Sequence, residues 1–456
     1  MIIADLEPLV REYRSFNIPP LFLRDEVIER LPKPARFNDY HVIVGMRRSG
    51  KTFYAFQKMQ ELIDSGYDRE RIFYFNFADD RLAPIEPGLG DRIVEEYFRE
   101  VPQAREGGCY FFFDEIQELV DWQPFLRRLA EHEQVTIVVT GSSSKLSSEE
   151  LATESRGRSR SHVLLPLSFA ECVRLAGKGD LIAQIAAGAA LPERDKTALL
   201  GLLDRYIEIG GFPAVQEATR SERIEVLQGY VRDVVARDVA ERFERTEIGL
   251  ANQLALFALR NTGCEYSLNL LSDTLSDIGY KAYWAKVNRL SELMQQAYLF
   301  RLLREFTMQL APSSTEVPKV YAIDPGLAFA VSRASQQDMG KRLETTVYLE
   351  LMRRLAGRRI EAVSSYTAPK PVGGKVDFIV GDALSQEAYE PIQVAVSMES
   401  EKTRKREVGA LQACMKRAHL DHGTIVTRAE TETIETEAGR IDVMPAWQWL
   451  LTPINL

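Results

Sequence analysis

The sequence predicts an α/β fold whose N-terminal part is a parallel sheet buried on both faces, followed by a helical segment and two smaller modules. Three observations carry this. Between residues 41 and about 165, short apolar runs (HVIVG, RIFYFNF, YFFFDE, VTIVVTG) alternate with stretches of helical periodicity (KTFYAFQKMQELIDSG, WQPFLRRLAEH), the pattern of strands covered by crossover helices. From 166 to about 250, one helical stretch follows another, broken at Gly210-Gly211-Phe212-Pro213. From 251 onward, helices mix with β-prone pieces such as KVYAID, KVDFIVG and PIQVAVS.

With 456 residues, 45% of them hydrophobic and 27% charged, the composition is that of a folded chain of several domains and excludes disorder, collagen or a coiled coil. No apolar run reaches the roughly 18 residues of a membrane span. The segment MIIADLEPLVREYRSF carries acids and arginines where a secretory leader needs an apolar core, so no membrane partner and a cytoplasmic location are expected. Cys109, Cys172, Cys264 and Cys414 lie far apart with no CxxC pair, and the five histidines show no ligand spacing, which argues against a structural zinc. A net charge of −9 speaks against non-specific coating of nucleic acid and leaves local basic faces open.

Residues 1–40 form a preamble in which REYRSF and EVIERL read as short amphipathic helices, stopped by Pro19, Pro20, Pro32 and Pro34. Directly after HVIV and directly before an amphipathic helix, Gly45-Met46-Arg47-Arg48-Ser49-Gly50-Lys51-Thr52 fits G-x-x-x-x-G-K-[ST]. Glycines let backbone N–H groups curl around phosphate oxygens, the helix presents its positive end, Lys51 reaches the β and γ phosphates, and Thr52 ligates Mg²⁺. Gly45, Arg48, Ser49, Gly50, Lys51 and Thr52 are therefore the expected nucleotide contacts, with ATP and Mg²⁺ as ligands.

Tyr110-Phe111-Phe112-Phe113-Asp114-Glu115 is an apolar strand ending in adjacent carboxylates. Asp114 is expected to hold the Mg²⁺ shell with Thr52, and Glu115 to orient or deprotonate the attacking water. VTIVV ends in Thr140-Gly141-Ser142-Ser143-Ser144, where Ser142 is placed as a γ-phosphate sensor, although a serine-rich loop is equally what any strand end looks like. Arg156-Gly157-Arg158-Ser159-Arg160 reads as a basic loop, either solvated or sending one arginine to a neighbouring subunit's ATP.

Together, GMRRSGKT, YFFFDEIQ, VVTGSSS, GRSRSHVLLPLSFAE, GGFP, Arg237-Asp238-Val239, GKRLETTVYLELMRR and KVDFIV, spread over most of residues 38–400, resemble the AAA-type (AAA+) P-loop ATPases of archaea and bacteria fused to a C-terminal domain of unknown function. The loop and the acid pair are generic to NTPases, whereas LPLSF and GGFP in this order make the resemblance specific. It implies ATP-driven conformational work in a homo-oligomeric ring such as a hexamer, with an arginine completing the neighbour's site. By position, the resemblance makes Arg158 that arginine and Arg237 a second phosphate-facing residue in a helical lid.

Residues 266–306 hold two helices separated by Ile278-Gly279-Tyr280 and then β-prone residues, the layout of a winged helix-turn-helix. Its second helix brings Lys281, Tyr283, Lys286 and Arg289 to DNA phosphates and base edges, or the module is a protein-protein spacer. The last domain resembles the restriction-endonuclease-like fold, which implies Glu344 as the helix acid, Asp377 as the strand acid, and an acid-x-Lys at a third position. Gln393 and Ala395 stand there instead. An amide lacks the charge to hold a hard cation and a methyl cannot do the lysine's work, so a nuclease-like fold without nuclease chemistry is expected. A further reading keeps that chemistry through Glu390. Lys402-Thr403-Arg404-Lys405-Arg406 is either a set of phosphate contacts, Arg404 and Lys405 foremost, or a solvated helix start.

The expected organisation is a preamble (1–40), an ATPase core (41–165), a helical lid (166–250), a winged helix (251–335) and a degenerate nuclease-like α/β domain (336–456). The expected function is ATP hydrolysis that remodels or moves along DNA, including branched DNA. The alternative is an ATP-gated switch whose C-terminal half binds protein.

Overall fold

The apolar runs become strands β1 (Tyr40–Val44), β2 (Ile72–Asn76), β3 (Cys109–Asp114) and β4 (Val135–Thr140). A further strand, β5 (Ser159–Val163), pairs with β1, and the five-stranded sheet runs β2-β3-β4-β1-β5, all parallel. With α1 (Glu7–Arg14), α2 (Lys51–Asp64), α3 (Leu89–Glu100), α4 (Pro102–Gly107) and α5 (Trp122–His132), it forms a P-loop NTPase fold. β1, β3 and β4 are buried along their whole length, which is why their sequences show no polar alternation. This computed structural model describes residues 6–25, 27–141, 146, 158–239, 247–306, 317–332, 339–357, 362–367, 374–382 and 387–452. The chain divides into two compact units, 1–164 and 165–456.

Two expectations in the first unit are corrected. Ser159 and Arg160 begin a strand rather than extend a loop, because the outer side of an edge strand faces water and needs no apolar run. The stretch 27–30, expected to be helical, is bent chain. Its first two N–H groups donate to the Tyr54 hydroxyl (3.0 Å from Val27, 2.9 Å from Ile28), which ties the preamble to α2. Tyr13 and Phe16 pack against this core of Tyr54, Phe56, Tyr74 and Phe112.

The second unit opens with α6 (Phe169–Leu175), α7 (Gly179–Ala186), α8 (Glu193–Ile209) and α9 (Arg220–Asp233), which widens into a π-helical turn at Val234–Val239. Then come α10 (Ile248–Arg260), β6 (Cys264–Glu265), α11 (Leu268–Asp277), α12 (Trp284–Gln296), β7 (Phe300–Leu303) and β8 (Lys319–Ala322), the strands forming an antiparallel sheet in the order β6-β8-β7. After α13 (Pro325–Val331), the chain continues through α14 (Met339–Arg354), β9 (Val363–Thr367), β10 (Lys375–Asp382), β11 (Glu387–Ala395), α15 (Glu401–Ala418), β12 (His422–Thr427), β13 (Glu432–Thr436), β14 (Gly439–Pro445) and α16 (Ala446–Leu451). These strands make a mixed six-stranded sheet, β13-β14-β12-β11-β10-β9, with α15 packed on it through Leu411, Cys414 and Met415.

LPLSF and GGFP meet inside this unit. The Leu167 N–H donates to Gly211 O (2.7 Å) and the Tyr206 hydroxyl to Leu167 O (2.9 Å). The buried Asp324 carboxylate accepts from the N–H groups of Gly211 (2.6 Å), Gly326 (2.8 Å) and Leu327 (3.2 Å), and Arg353 donates to Pro166 O (2.9 Å). A Cβ at Gly211 would lie 2.1 Å from Leu167 O, and one at Gly210, where φ is +72°, 1.9 Å from Asp324 Oδ1. Both glycines are thus packing requirements. No helix among the described residues is long and apolar enough to cross a membrane.

Candidate nucleotide site

The turn from β1 into α2 is shaped by backbone that only certain residues tolerate. Gly45 has φ +147° and would place a Cβ 2.2 Å from Leu164 O, while Gly50 (φ +100°) starts the helix. Arg48 also adopts a positive φ, 71°, a conformation rare outside glycine and asparagine and concentrated at ligand loops. The loop therefore curls with its amides and the α2 N-terminus facing inward.

The residues in this loop fit a bound phosphate chain. Ser49 Oγ is buried and finds no hydrogen-bond partner among the described residues. The Lys51 ammonium, 7% exposed, folds back to donate to the loop's own carbonyls, Gly45 O (3.0 Å) and Met46 O (3.2 Å). A buried ammonium at the head of a helix that follows a glycine-rich turn is placed to meet phosphate oxygens.

β3 lies beside β4 and β2, and this adjacency delivers Asp114 to the loop. Thr52 Oγ1 donates to Asp114 Oδ2 (2.8 Å), as does the Tyr74 hydroxyl (3.1 Å), and the Thr140 hydroxyl donates to Oδ1. The carboxylate is thereby buried, 4% exposed, with both oxygens hydrogen-bonded. Burial, and then the Asp114 charge, raise the Tyr74 pKa far above the phenolic value, so this hydroxyl stays a donor. Thr52 and Asp114 together are the donor set a hard cation takes.

Glu115 follows in the left-handed conformation, φ 50° and ψ 44°, and accepts from Gln117 Nε2 (2.6 Å). Sequence reasoning missed Gln117, Tyr74, Thr140 in this role, and Arg24. The Arg24 guanidinium donates to Ser49 O (3.0 Å), while its backbone is clasped by the Gln57 amide (2.8 and 3.1 Å). Nothing in a linear motif flags an arginine that far upstream. Tyr74, midway along β2, and Thr140, the last residue of β4, were in principle legible, since both strands flank the acid strand.

Other expected residues are not gathered here. Ser142 lies outside the described residues. Arg158 precedes β5, at the end of the sheet opposite the loop; it pairs with Glu131 (2.7 Å) and stacks on Phe37 (5.3 Å). Five residues of strand, roughly 16 Å, separate the two edges, so Arg158 does not face its own chain's phosphate loop. Arg237 is exposed on the π-helical turn of the second unit.

Among the expected DNA contacts, Lys281 and Tyr283 are exposed just before α12. Lys286 is half-buried, ion-paired with Glu247 and 5.0 Å from the Tyr283 ring centre. Arg289 lies 3.5 Å from Glu292. Arg404 forks onto Glu432 (2.7 Å for one arm), and Lys405 is exposed. Glu344 and Asp377 do come together, around Lys319.

Residues 38–173 match the AAA domain family, and residues 200–338 match a domain of unknown function, DUF8612. An uncharacterized protein of Haemophilus influenzae is 27% identical over 78% of this chain and 82% of its own length. Among solved structures, the Walker-type ATPase PABY2304 of Pyrococcus abyssi is 14% identical, with a TM-score of 0.39 over 64% of this chain and 91% of its own. ORC2 of Aeropyrum pernix is 12% identical, with a TM-score of 0.35 over 74% of this chain and 98% of its own. An uncharacterized protein of Methanocaldococcus jannaschii, MJ1544, is 30% identical over 94% of this chain and 91% of its own length, and the chain belongs to its family of AAA-domain proteins.

Proposed function

We propose that this protein hydrolyses ATP at the β1–α2 loop and couples hydrolysis to DNA held by its C-terminal unit. The observation that carries the ATPase half is the gathering of buried Lys51 and Asp114 with half-buried Thr52 and Glu115 at a strained loop whose Ser49 hydroxyl has no partner among the described residues. In this reading, Lys51 and the loop amides bind phosphates, and Thr52 and Asp114 hold Mg²⁺, which supplies neutralisation of phosphate charge. Glu115, whose carboxylate accepts from Gln117, positions the attacking water.

The DNA half rests on the order α10-β6-α11-α12-β7-β8, which supports a winged helix, and on Lys281 and Tyr283 exposed at the head of α12. The six-stranded domain is read as nuclease-like. Arg158 enters only as a residue offered to a neighbouring copy in a homo-oligomer, after release from Glu131. A protein-binding switch is the second reading. It is favoured by the exposed apolar side chains of Leu270 on α11, Ile278 just after it and Trp284 on α12, and by the internal pairing of Lys286 and Arg404.

ATP hydrolysis with single-stranded, duplex and four-way-junction DNA separates the two. We expect stimulation by at least one DNA form, abolished in Glu115→Gln. Hydrolysis indifferent to every DNA supports the protein-binding switch.

A further inference from the structure

The nuclease-like reading implies a divalent cation between Glu344 and Asp377, and the residues present do not fit one. Lys319, on β8 of the three-stranded sheet, inserts its ammonium between them, donating to Glu344 Oε1 (2.9 Å) and Asp377 Oδ1 (2.8 Å). These distances suit N⁺–H···O⁻ bonds and exceed the roughly 2.0–2.6 Å of Mg²⁺ or Ca²⁺ to oxygen. Two further acceptor sites of the pair are also taken. The Tyr321 hydroxyl donates to Glu344 Oε1 (2.6 Å), and the Val394 N–H donates to Asp377 Oδ2 (3.0 Å).

The third position is closed in the same way. Gln393 Oε1 accepts the Asp377 N–H (3.1 Å), and its Nε2 donates to Glu407 Oε2 (2.6 Å) on α15. A glutamate at 393 would set a carboxylate against the buried Glu407 carboxylate, so the amide is required by its neighbour. Burial opposes the Lys319 charge, but Asp377 and Glu344 outweigh it and hold the ammonium protonated above its ordinary pKa.

We propose that Lys319 is a built-in cation standing where a divalent ion would be needed, and that Lys319, Glu344 and Asp377 form a clasp between the three-stranded sheet and the six-stranded sheet. A residue from outside the six-stranded domain has taken the metal's place, and the acids serve cohesion. The inference rests on this geometry and stands whether the partner is DNA or protein.

The test uses the full nucleotide-free chain and Mn²⁺ alone as the probe, comparing wild type, Asp377→Asn, Lys319→Met and the Lys319→Met/Asp377→Asn double variant. Wild type and Asp377→Asn should bind Mn²⁺ identically by titration calorimetry. Lys319→Met should gain one site, tighter than any shared with wild type by roughly tenfold or more, lost again in the double variant. Its thermal midpoint should fall and recover on adding Mn²⁺. A wild-type site lost in Asp377→Asn overturns the proposal, as does a folded Lys319→Met that gains none. Should Lys319→Met fail to fold, Lys319→Met/Glu344→Gln, which removes the charge conflict, is expected to fold; its failure counts against the clasp, and the wild-type comparison still decides the metal question.

Discussion

At the scale of single residues, the site is organised by what each side chain donates and accepts. Asp114 accepts from three hydroxyls, Lys51 donates to two loop carbonyls, and Ser49 Oγ has no partner among the described residues, so a bound polyphosphate would supply the partner that Ser49 lacks. Glu115 differs, because its backbone sits at φ 50°, a conformation that costs of order 1 kcal/mol or more for a residue with a Cβ and is retained where it aims a side chain. Glu115→Gln keeps the shape and the Gln117 contact while removing the base. Hydrolysis should therefore fall by roughly 10²–10⁴-fold, measured by phosphate release, with nucleotide binding intact by fluorescent-analogue titration. Lys51→Ala should instead lose nucleotide binding. An unchanged turnover in Glu115→Gln would place the water-positioning group elsewhere.

At the scale of elements, β1 delivers the loop, and its edge partner β5 is joined to it by a pair of histidines. His162 Nδ1 lies 3.0 Å from Val27 O, which can only accept, so Nδ1 carries the proton and Nε2 accepts from His41 Nδ1 at 2.9 Å. Protonating Nε2 sets two donors face to face. Burial, and then His162, lower the His41 pKa from 6.5 to about 4, so between these values the unfolded chain binds more protons than the folded one. Stability contributed by this pair is present above the unfolded value and is lost as the pH falls towards 4. His41→Asn, which keeps a donor in place, should flatten the dependence of the thermal midpoint on pH across that window; an unaltered slope would rule the pair out as its source.

The same scale explains what the sequence could and could not disclose. Runs such as YFFFD announce β3 because a strand buried on both faces must be apolar throughout, whereas β5, an edge strand with no fully buried residue and with Arg160 and Ser161 exposed, carries no such signal. Lys51, Thr52, Asp114 and Glu115 were legible because phosphate chemistry dictates their spacing to strand ends. Arg24 and Lys319 were not, since each reaches its site only through the tertiary fold. GGFP was visible as a signature, but its meaning required Asp324 and Leu167. Gly211→Ala drives a Cβ to within 2.1 Å of a backbone oxygen, so it should destabilise the second unit by about 3 kcal/mol or more, read from its denaturant midpoint.

At the scale of the whole molecule, a chain of net charge −9 approaches a polyanion only through local faces. Of the expected contacts, Lys286 and Arg404 are committed to Glu247 and Glu432, while Lys281 and Lys405 make no ion pair among the described residues and Arg289 only a long one. Three released counterions at about 0.9 each give a slope of log affinity on log salt of about −3 for duplex DNA. In the proposed DNA-coupled reading, charge alone would therefore confer weak binding, and specificity would come from elsewhere. Trp284, 51% exposed at the head of α12 beside Tyr283, would in that reading offer a stacking face to unpaired bases. Stacking contributes about 1–3 kcal/mol per base, so Trp284→Ala should weaken single-stranded or junction DNA by roughly 5–150-fold while leaving duplex binding and its salt slope nearly unchanged. Equal losses on every DNA form would mean that Trp284 holds the fold of α12 rather than a base, and a slope far steeper than −3 would mean that cations beyond these three meet the phosphates.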